Sequence, residues 1–359
     1  MRGWERVVAA VAVGLSFSRS ALAQEEAPAP PPDAVESLRA EAAALAPLVE
    51  TESAKAFLRA TEALPLPEPR TLYRPADRSA AYTESEAAAF PESERAALTP
   101  REFDARFYYY TGYGSPLVYA RPLDLVAHLW ESGAAASDAA PGSTPTAFAG
   151  KRILDFGYGS VGHLRLLASL GAECVGVEVE PVFRALYSLP GDQGEIAGFD
   201  GSPAGHVELL HGRWPAEESI RAGVGEGFDL VISKNVLKRG YIHPAREVDE
   251  RFLVHLGVSD EEFLRAAHAA LKPDGLFLIY NISPAQNPED QPYLPHADGQ
   301  SPFTREQLEH AGFEVLEFDR VDTEAVLGFW KALGYDGGKS EEQTRRELFA
   351  WYTLARRPK

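Results

Sequence analysis

The 359-residue sequence contains one cysteine, Cys174, which excludes an internal disulfide bond. Stability must then come from a buried core, and a chain of this length can form one. Basic residues are also scarce, because 35 lysines and arginines stand against 53 acidic residues and give a net charge of −18. So acidic a surface repels phosphate backbones and argues against a nucleic-acid partner. No run approaches the roughly 20 apolar residues that a membrane-spanning helix needs.

Two common patterns of catalytic residues are missing as well. The nine histidines show no metal-ligand spacing such as His-Glu-x-x-His, so we expect no metal site. No Gly-x-Ser-x-Gly segment is present, and nothing else in the sequence indicates a serine nucleophile.

The first 23 residues have the layout of a secretory signal peptide. Arg2 and Arg6 supply a basic start, residues 7–17 are mostly apolar, and Ala21-Leu22-Ala23 fits a small-x-small cleavage site. We expect Gln24 to be the first mature residue of an exported protein, periplasmic or extracellular, without a transmembrane anchor. An amphipathic tail that is not cleaved is the alternative.

Residues 24–33, rich in Ala, Pro and Glu, are expected to form a tether, and residues 34–150 an N-terminal helical or cap region. Helical spacing of apolar residues predicts helix from Asp33 to about Leu64. The capping pattern Thr99-Pro100-Arg101-Glu102 predicts another helix start, and a helix is predicted from about Leu117 to Trp130. The aromatic cluster of residues 108–113 either closes over a ligand or packs in the core.

From Lys151 onward, strands alternate with helices, which indicates a parallel sheet covered on both faces. The last two predicted strands are expected to pair as an antiparallel edge. The candidate strands are 152–156, 173–177, 206–210, 228–233, 276–282, 313–321 and 348–355. The candidate helices are 163–170, 182–189, 260–271, 304–311 and about 324–333.

A strand running into a glycine turn carries the chemistry of this half. Asp155-Phe156-Gly157-Tyr158-Gly159 ends the first strand, and Glu178 lies 21 residues after Gly157, at the end of the second. Glycines allow a tight turn and close approach of a ligand, and a carboxylate at the Glu178 position can accept hydrogen bonds from both hydroxyls of a ribose. Asp155 argues against a dinucleotide, because it would face the charged phosphates.

Residues 151–282 resemble a class I S-adenosylmethionine-dependent methyltransferase. The resemblance includes the segment at Asp155, Glu178-Val179-Glu180-Pro181, Phe228 to Ser233, and Ala270 to Leu276. It implies a Rossmann-like methyltransferase fold in residues 151–359: a seven-stranded, mostly parallel sheet with an antiparallel C-terminal edge, preceded by the N-terminal helical segment.

The resemblance also implies roles for particular residues. Asp155, Gly157 and Gly159 would hold the methionine part of S-adenosyl-L-methionine, and Glu178 its ribose. Ser233 to Asn235 would line the substrate side, and Ser233 would also be a cofactor-binding residue. The pattern departs from the family at Val161, where a third glycine is usual, and at Gly212-Arg213, where Gly-Asp is common.

Several residues keep more than one interpretation. Glu180 is the alternative ribose ligand to Glu178. His243 and Tyr241 are candidates for activating the acceptor, although a histidine in a loop also suits ordinary polar surface. His163 and His211 are either structural or close to the cofactor.

No Asn/Asp-Pro-Pro-aromatic segment is present, which favours a small-molecule acceptor. Because S-adenosylmethionine is cytoplasmic, export leaves three hypotheses open: an active methyltransferase, an exported non-catalytic binding or scaffold protein with this fold, and a nicotinamide-dependent oxidoreductase.

Overall fold

The computed structural model describes residues 33–110, 114–133 and 146–359. The predicted signal peptide, nearly all of the predicted tether and part of the aromatic cluster lie outside these residues. No helix in the described ranges is long and apolar enough to cross a membrane.

The N-terminal region combines helices with a small antiparallel sheet of two strands. Its helices are α1 (Ala34–Leu45), α2 (Glu52–Arg59), α3 (Glu84–Ala88), α4 (Glu92–Arg95), α5 (Ala105–Tyr109) and α6 (Ala120–Gly133). A 3-10 turn, Pro116–Tyr119, leads into α6. The strands are β1 (Arg70–Arg74) and β2 (Thr99–Phe103). The predicted helices near residues 34–64 and 117–130 are thus confirmed.

The predicted helix start at Thr99-Pro100-Arg101-Glu102 is wrong, because these residues belong to β2. Thr99 pairs with Arg74 and Phe103 with Arg70, so a partner strand distant in sequence satisfies the backbone. The actual N-cap of α5 is Asp104, whose carboxylate accepts a hydrogen bond from the N–H of Phe107.

The second sheet has eight strands in the order β5-β6-β4-β3-β7-β8-β10-β9. They are β3 (Arg152–Phe156), β4 (Glu173–Glu178), β5 (Gly194–Ile196), β6 (Gly205–His211), β7 (Phe228–Lys234), β8 (Leu271–Pro284), β9 (Glu314–Val321) and β10 (Leu348–Arg356). Strands β6, β4, β3, β7 and β8 are parallel, and β10 is antiparallel to both β8 and β9.

This order confirms the predicted Rossmann-like fold of the methyltransferase type. Five parallel strands are finished by an antiparallel pair, and β10 enters between β8 and the edge strand β9. The sheet has one strand more than predicted, because the three-residue β5 adds an antiparallel strand at the opposite edge.

Helices cover the sheet between its strands. They are α7 (Gly162–Ser169), α8 (Pro181–Leu186), α9 (Glu218–Val224), α10 (Arg239–Ile242), α11 (Asp260–Ala270), α12 (Arg305–His310), α13 (Thr323–Ala332) and α14 (Glu341–Glu347). The predicted helices are confirmed, whereas α9, α10 and α14 were not predicted. The predicted helix 260–271 ends at Ala270, and residues 272–275 lie inside β8, where its pairing with β7 is irregular.

Both halves of the chain contribute to one apolar core on one face of the sheet. Leu38 and Phe57 of the N-terminal region belong to the same cluster as Ile153 and Leu164. A second cluster fills the other face and includes Leu154 and Phe263. Cys174 lies in β4 and is buried in the first cluster.

Candidate active site

The glycine turn follows β3 and has a backbone that favours glycine. Gly157 has φ +79° and Gly159 has φ +61°, both in the left-handed region. A Cβ atom on Gly157 would lie 2.5 Å from Cγ2 of Val236. The turn is therefore shaped both by its own dihedral angles and by the segment that follows β7.

Asp155 sits just before the turn and is fully buried. Its Oδ2 accepts a hydrogen bond from the Tyr119 hydroxyl (2.9 Å) and lies 2.5 Å from Nε2 of His163. The Tyr119 and His163 rings stack on each other with centroids 3.7 Å apart. Asp155 Oδ1 and His163 Nδ1 are buried and have no hydrogen-bond partner within the described ranges. One oxygen of the carboxylate is fixed, and the other is free to accept.

Glu178 ends β4 on the other side of the turn. Its Oε2 accepts from the N–H of Gly159 (3.1 Å), and its Oε1 accepts from the N–H groups of Val179 (2.7 Å) and Glu180 (3.1 Å). Burial raises the pKa of the Glu178 carboxyl, against the lowering effect of these backbone donors. The carboxylate is thus held at the strand end in one orientation.

Glu180 lies in a different environment from Glu178. Its carboxylate forms an ion pair with Arg74 of β1 (3.1 Å), which links the small sheet to the end of β4. Between the two acids, Val179 is 54% exposed. Our sequence reasoning missed Val179. The signal for it is an apolar residue between two acids at a strand end, where an exposed side chain can contact a flat apolar group of a ligand.

Ser233, predicted to line the site, is fully buried, and its hydroxyl donates to the carbonyl of Phe156 (3.1 Å). This bond ties the end of β7 to the end of β3. Asn235 has φ +65°, and its side chain accepts from the N–H of Ile282 (2.7 Å). Both residues hold the strand ends together beside the glycine turn, and the predicted cofactor role of Ser233 stays a prediction.

Two buried lysines follow, Lys234 and Lys238. Lys234 lies within the predicted 233–235 segment, but our sequence reasoning gave neither lysine a role of its own, because lysine is rarely buried. Lys234 ends β7, and its ammonium lies 5.2 Å from the centroid of the Tyr119 ring. Lys238 donates to the carbonyl of Ile282 (2.7 Å), the hydroxyl of Ser283 (3.0 Å) and the carbonyl of His296 (3.0 Å). Burial lowers the pKa of Lys234 to about 8 and that of Lys238 to about 7.

His243 lies at an open surface cavity, whereas Tyr241 lies beside Lys238, whose ammonium is 5.8 Å from the centroid of the Tyr241 ring. His243 is 49% exposed, and its Nε2 lies 2.8 Å from Oδ2 of Asp260. With His255 it lines an open cavity of about 370 Å³, whose lining includes no residue of the glycine turn and neither Asp155 nor Glu178. Tyr241 is buried. Their catalytic roles stay predictions.

The aromatic cluster belongs to the core as far as the structure describes it. Tyr108, Tyr109 and Tyr110 are all buried, and the hydroxyl of Tyr108 donates to Asp192 (2.8 Å). At the end of β6, His211 Nδ1 is buried without a partner in the described chain, and burial lowers the pKa of His211. The N–H of Gly212 donates to the carbonyl of Glu178 (3.0 Å). This bond joins the end of β6 to the end of β4.

The residues at the strand ends fit S-adenosylmethionine by their chemistry. The unpartnered, buried Oδ1 of Asp155 suits the ammonium of the methionine part, because a buried acceptor without a donor is costly. Gly157 and Gly159 have no side chains and have positive φ angles, so the backbone of the turn allows close approach of a ligand. Glu178 presents a fixed carboxylate at the neighbouring strand end, in reach of ribose hydroxyls by the rule for open α/β sheets.

Similarity to known proteins is found among solved structures. No family model matches the chain, and no curated protein matches it. Among solved structures, it is similar to an S-adenosylmethionine-dependent methyltransferase from Mesorhizobium loti (17% identity, 58% of this chain and 92% of that chain, TM-score 0.33). It is also similar to a cyclopropane synthase from Mycobacterium tuberculosis (15% identity, 58% and 78%, TM-score 0.34). At these scores the fold assignment rests on the strand order, which is that of the predicted Rossmann-like fold.

Proposed function

We propose that this protein is an S-adenosylmethionine-dependent methyltransferase that acts on a small molecule. The observation that carries the proposal is the pair of acids around the glycine turn. Asp155 and Glu178 end neighbouring parallel strands, and Glu178 is bonded to Gly159 inside the turn. A ligand with an ammonium, a sulfonium and no phosphate suits two carboxylates better than a dinucleotide does.

The chemistry that the cofactor supplies is methyl transfer: the acceptor–carbon bond forms as the carbon–sulfur bond breaks, and its electron pair stays on sulfur. The protein then has to hold the ligands in line and exclude water. Asp155 and Glu178 would hold the two ends of the cofactor, and Val179, exposed between two acids, offers an apolar contact for its base.

Calorimetry of the mature chain with S-adenosylmethionine, its demethylated product and NAD tests this proposal. We expect the first two ligands to bind in preference to NAD. NAD that binds equally or more tightly would overturn the methyltransferase assignment. The Asp155→Asn variant should weaken binding of both adenosyl ligands, because it removes the charge that faces the ammonium.

A second candidate is an exported, non-catalytic protein that has kept the fold. Two observations favour it. Asp155 is fully buried in the ligand-free chain, and the Glu178 carboxylate already accepts three backbone hydrogen bonds. On this hypothesis the folded protein binds neither adenosyl ligand in the same titrations.

We also propose export, on the basis of the signal-like first 23 residues. Export would separate the protein from the cytoplasmic pool of its cofactor, so location and activity have to be measured on the same native material.

A further inference from the structure

Lys234 lies on the same face of the sheet as Asp155. Asp155 pairs with Ile232 of β7, and Lys234 follows Ile232 by two residues, which returns its side chain to that face. Lys234 is 7% exposed, and its Nζ lies over the Tyr119 ring. It makes no hydrogen bond and no ion pair within the described part of the chain. A buried ammonium without such partners is held mainly by charges at longer range.

The charged and titratable groups around Lys234 come from several elements. On its own face are Asp155, Tyr119 and His163, and the charge of Asp155 favours the protonated lysine. Tyr280 of β8 lies opposite Lys234, but its hydroxyl is bound to Asp322 (2.6 Å), which Arg121 neutralises. The charge of Glu178 helps to raise the pKa of the Tyr119 hydroxyl. Lys238 carries the same sign of charge as Lys234, and the charge of Lys234 helps to lower the pKa of Lys238. Asp155 is therefore the main counter-charge of Lys234 in the described structure.

One buried carboxylate cannot balance two ammonium groups. In the ligand-free chain Asp155 stabilises the protonated Lys234, and its Oδ1 remains without a donor. A ligand ammonium that reaches Oδ1 would take over this charge and add a like charge beside Lys234, in a region from which water is largely excluded. Two like charges in such a place cannot both persist when one of them can release a proton.

We propose that Lys234 releases its proton to solvent when the ammonium of the cofactor binds at Asp155. This rests on the proposed methyltransferase function. The pKa of about 8 means that free Lys234 is mostly protonated at neutral pH, so there is a proton to release. The product of this step is a neutral amine on the Asp155 face of the sheet, over the Tyr119 ring. Such an amine can accept the proton of an acceptor hydroxyl.

The test is calorimetry of the mature chain at about pH 7, in buffers of different ionisation enthalpy, with S-adenosylmethionine and with its demethylated product. We expect nearly one proton to be released per ligand bound, and equally with both ligands, because the product keeps the ammonium and lacks the sulfonium. Between about pH 6 and pH 7.5 the affinity for the product should rise toward about tenfold per pH unit.

Lys234→Met should abolish the proton release and flatten the pH dependence. Lys331→Met, at an exposed lysine of α13, is the matched control and should change neither. Lys234→Arg keeps a charge that cannot be released, so it should weaken binding at least about tenfold and release no proton. It also serves as the second variant if Lys234→Met does not fold.

Release that persists in Lys234→Met would overturn the inference and assign the proton to another group. Binding by the unmodified protein without release would also overturn it, while leaving the methyltransferase proposal intact. If the folded protein binds neither ligand, the proposed function fails and this inference fails with it.

Discussion

The carboxylate of Glu178 and the backbone N–H of Gly159 are joined by a hydrogen bond of 3.1 Å. The bond connects the end of β4 to the middle of the glycine turn that follows β3. Glu178, the acid predicted to bind ribose, is thereby fixed to the turn. A change at either residue therefore affects both ends of the proposed cofactor site.

Glu178→Gln should weaken binding of S-adenosylmethionine about tenfold to a hundredfold, because charge-assisted hydrogen bonds contribute roughly 1.5–3 kcal/mol each. Glu180→Gln is the matched control: it removes the same charge two residues away, where the carboxylate already pairs with Arg74. Calorimetry of both variants measures the difference. A larger loss for Glu180→Gln would show that Glu180 is the ribose ligand.

Gly157→Ala should destabilise the fold by about 1–3 kcal/mol, because alanine is strained at φ +79° and its Cβ would contact Val236. Gly191→Ala is the control, since a Cβ there has no atom within 4 Å. Denaturant unfolding measures both. Adding Val236→Ala to Gly157→Ala should restore part of the lost stability, and no restoration would show that the dihedral angle alone is responsible.

Arg121→Ala should lower the free energy of unfolding by about 3 kcal/mol, because it leaves the buried carboxylate of Asp322 without its ion-pair partner. Arg121 of α6 donates two hydrogen bonds to Asp322, at the start of α13, of 2.9 and 2.8 Å. Arg346→Ala, in an exposed pair with Glu342, should cost less than about 0.5 kcal/mol. Equal effects in urea unfolding would contradict a role for the Arg121 pair in joining α6 to the sheet.

The free energy of unfolding should increase as the pH rises above 7, because of Lys238. Its pKa is about 7 in the folded chain, below that of an unfolded lysine, so unfolding takes up a proton between these two values. The contribution grows by about 2 kcal/mol from pH 7 to pH 9. Unfolding of Lys238→Met at both pH values, compared with Lys331→Met, measures it. A Lys238→Met variant with the full pH dependence would refute the assignment.

Export predicts that the native protein lacks residues 1–23 and begins at Gln24. Mass spectrometry of protein purified from the native cell, after separation of cytoplasm from exported material, checks this. An intact Met1 in the cytoplasmic fraction would contradict export and would place the protein with its cofactor.

Much of the fold followed from the sequence because the buried strands are short apolar runs. β3 begins and ends at the predicted residues. The pairing of β1 with β2 was missed because local capping chemistry at Thr99 competes with a pairing partner at Arg74, which no local pattern reveals. β5 has three residues, too few for a periodicity.

The candidate site was predictable only where it consists of a motif. Gly157 and Glu178 are recognised by their spacing along the chain. Val236 and Lys234 matter because the register of β7 against β3 brings them to Gly157 and Asp155, and that register is a property of the sheet.

Cys174 is 1% exposed on β4, between β3 and β6 in the sheet, and burial raises the pKa of its thiol. Because it is the one cysteine in the sequence, a colorimetric thiol reagent has a single target. The folded chain should resist the reagent, and the rate of modification under native conditions then reports how often the centre of the sheet opens. The modification rate of Cys174 therefore measures opening of the sheet in each variant without an added label.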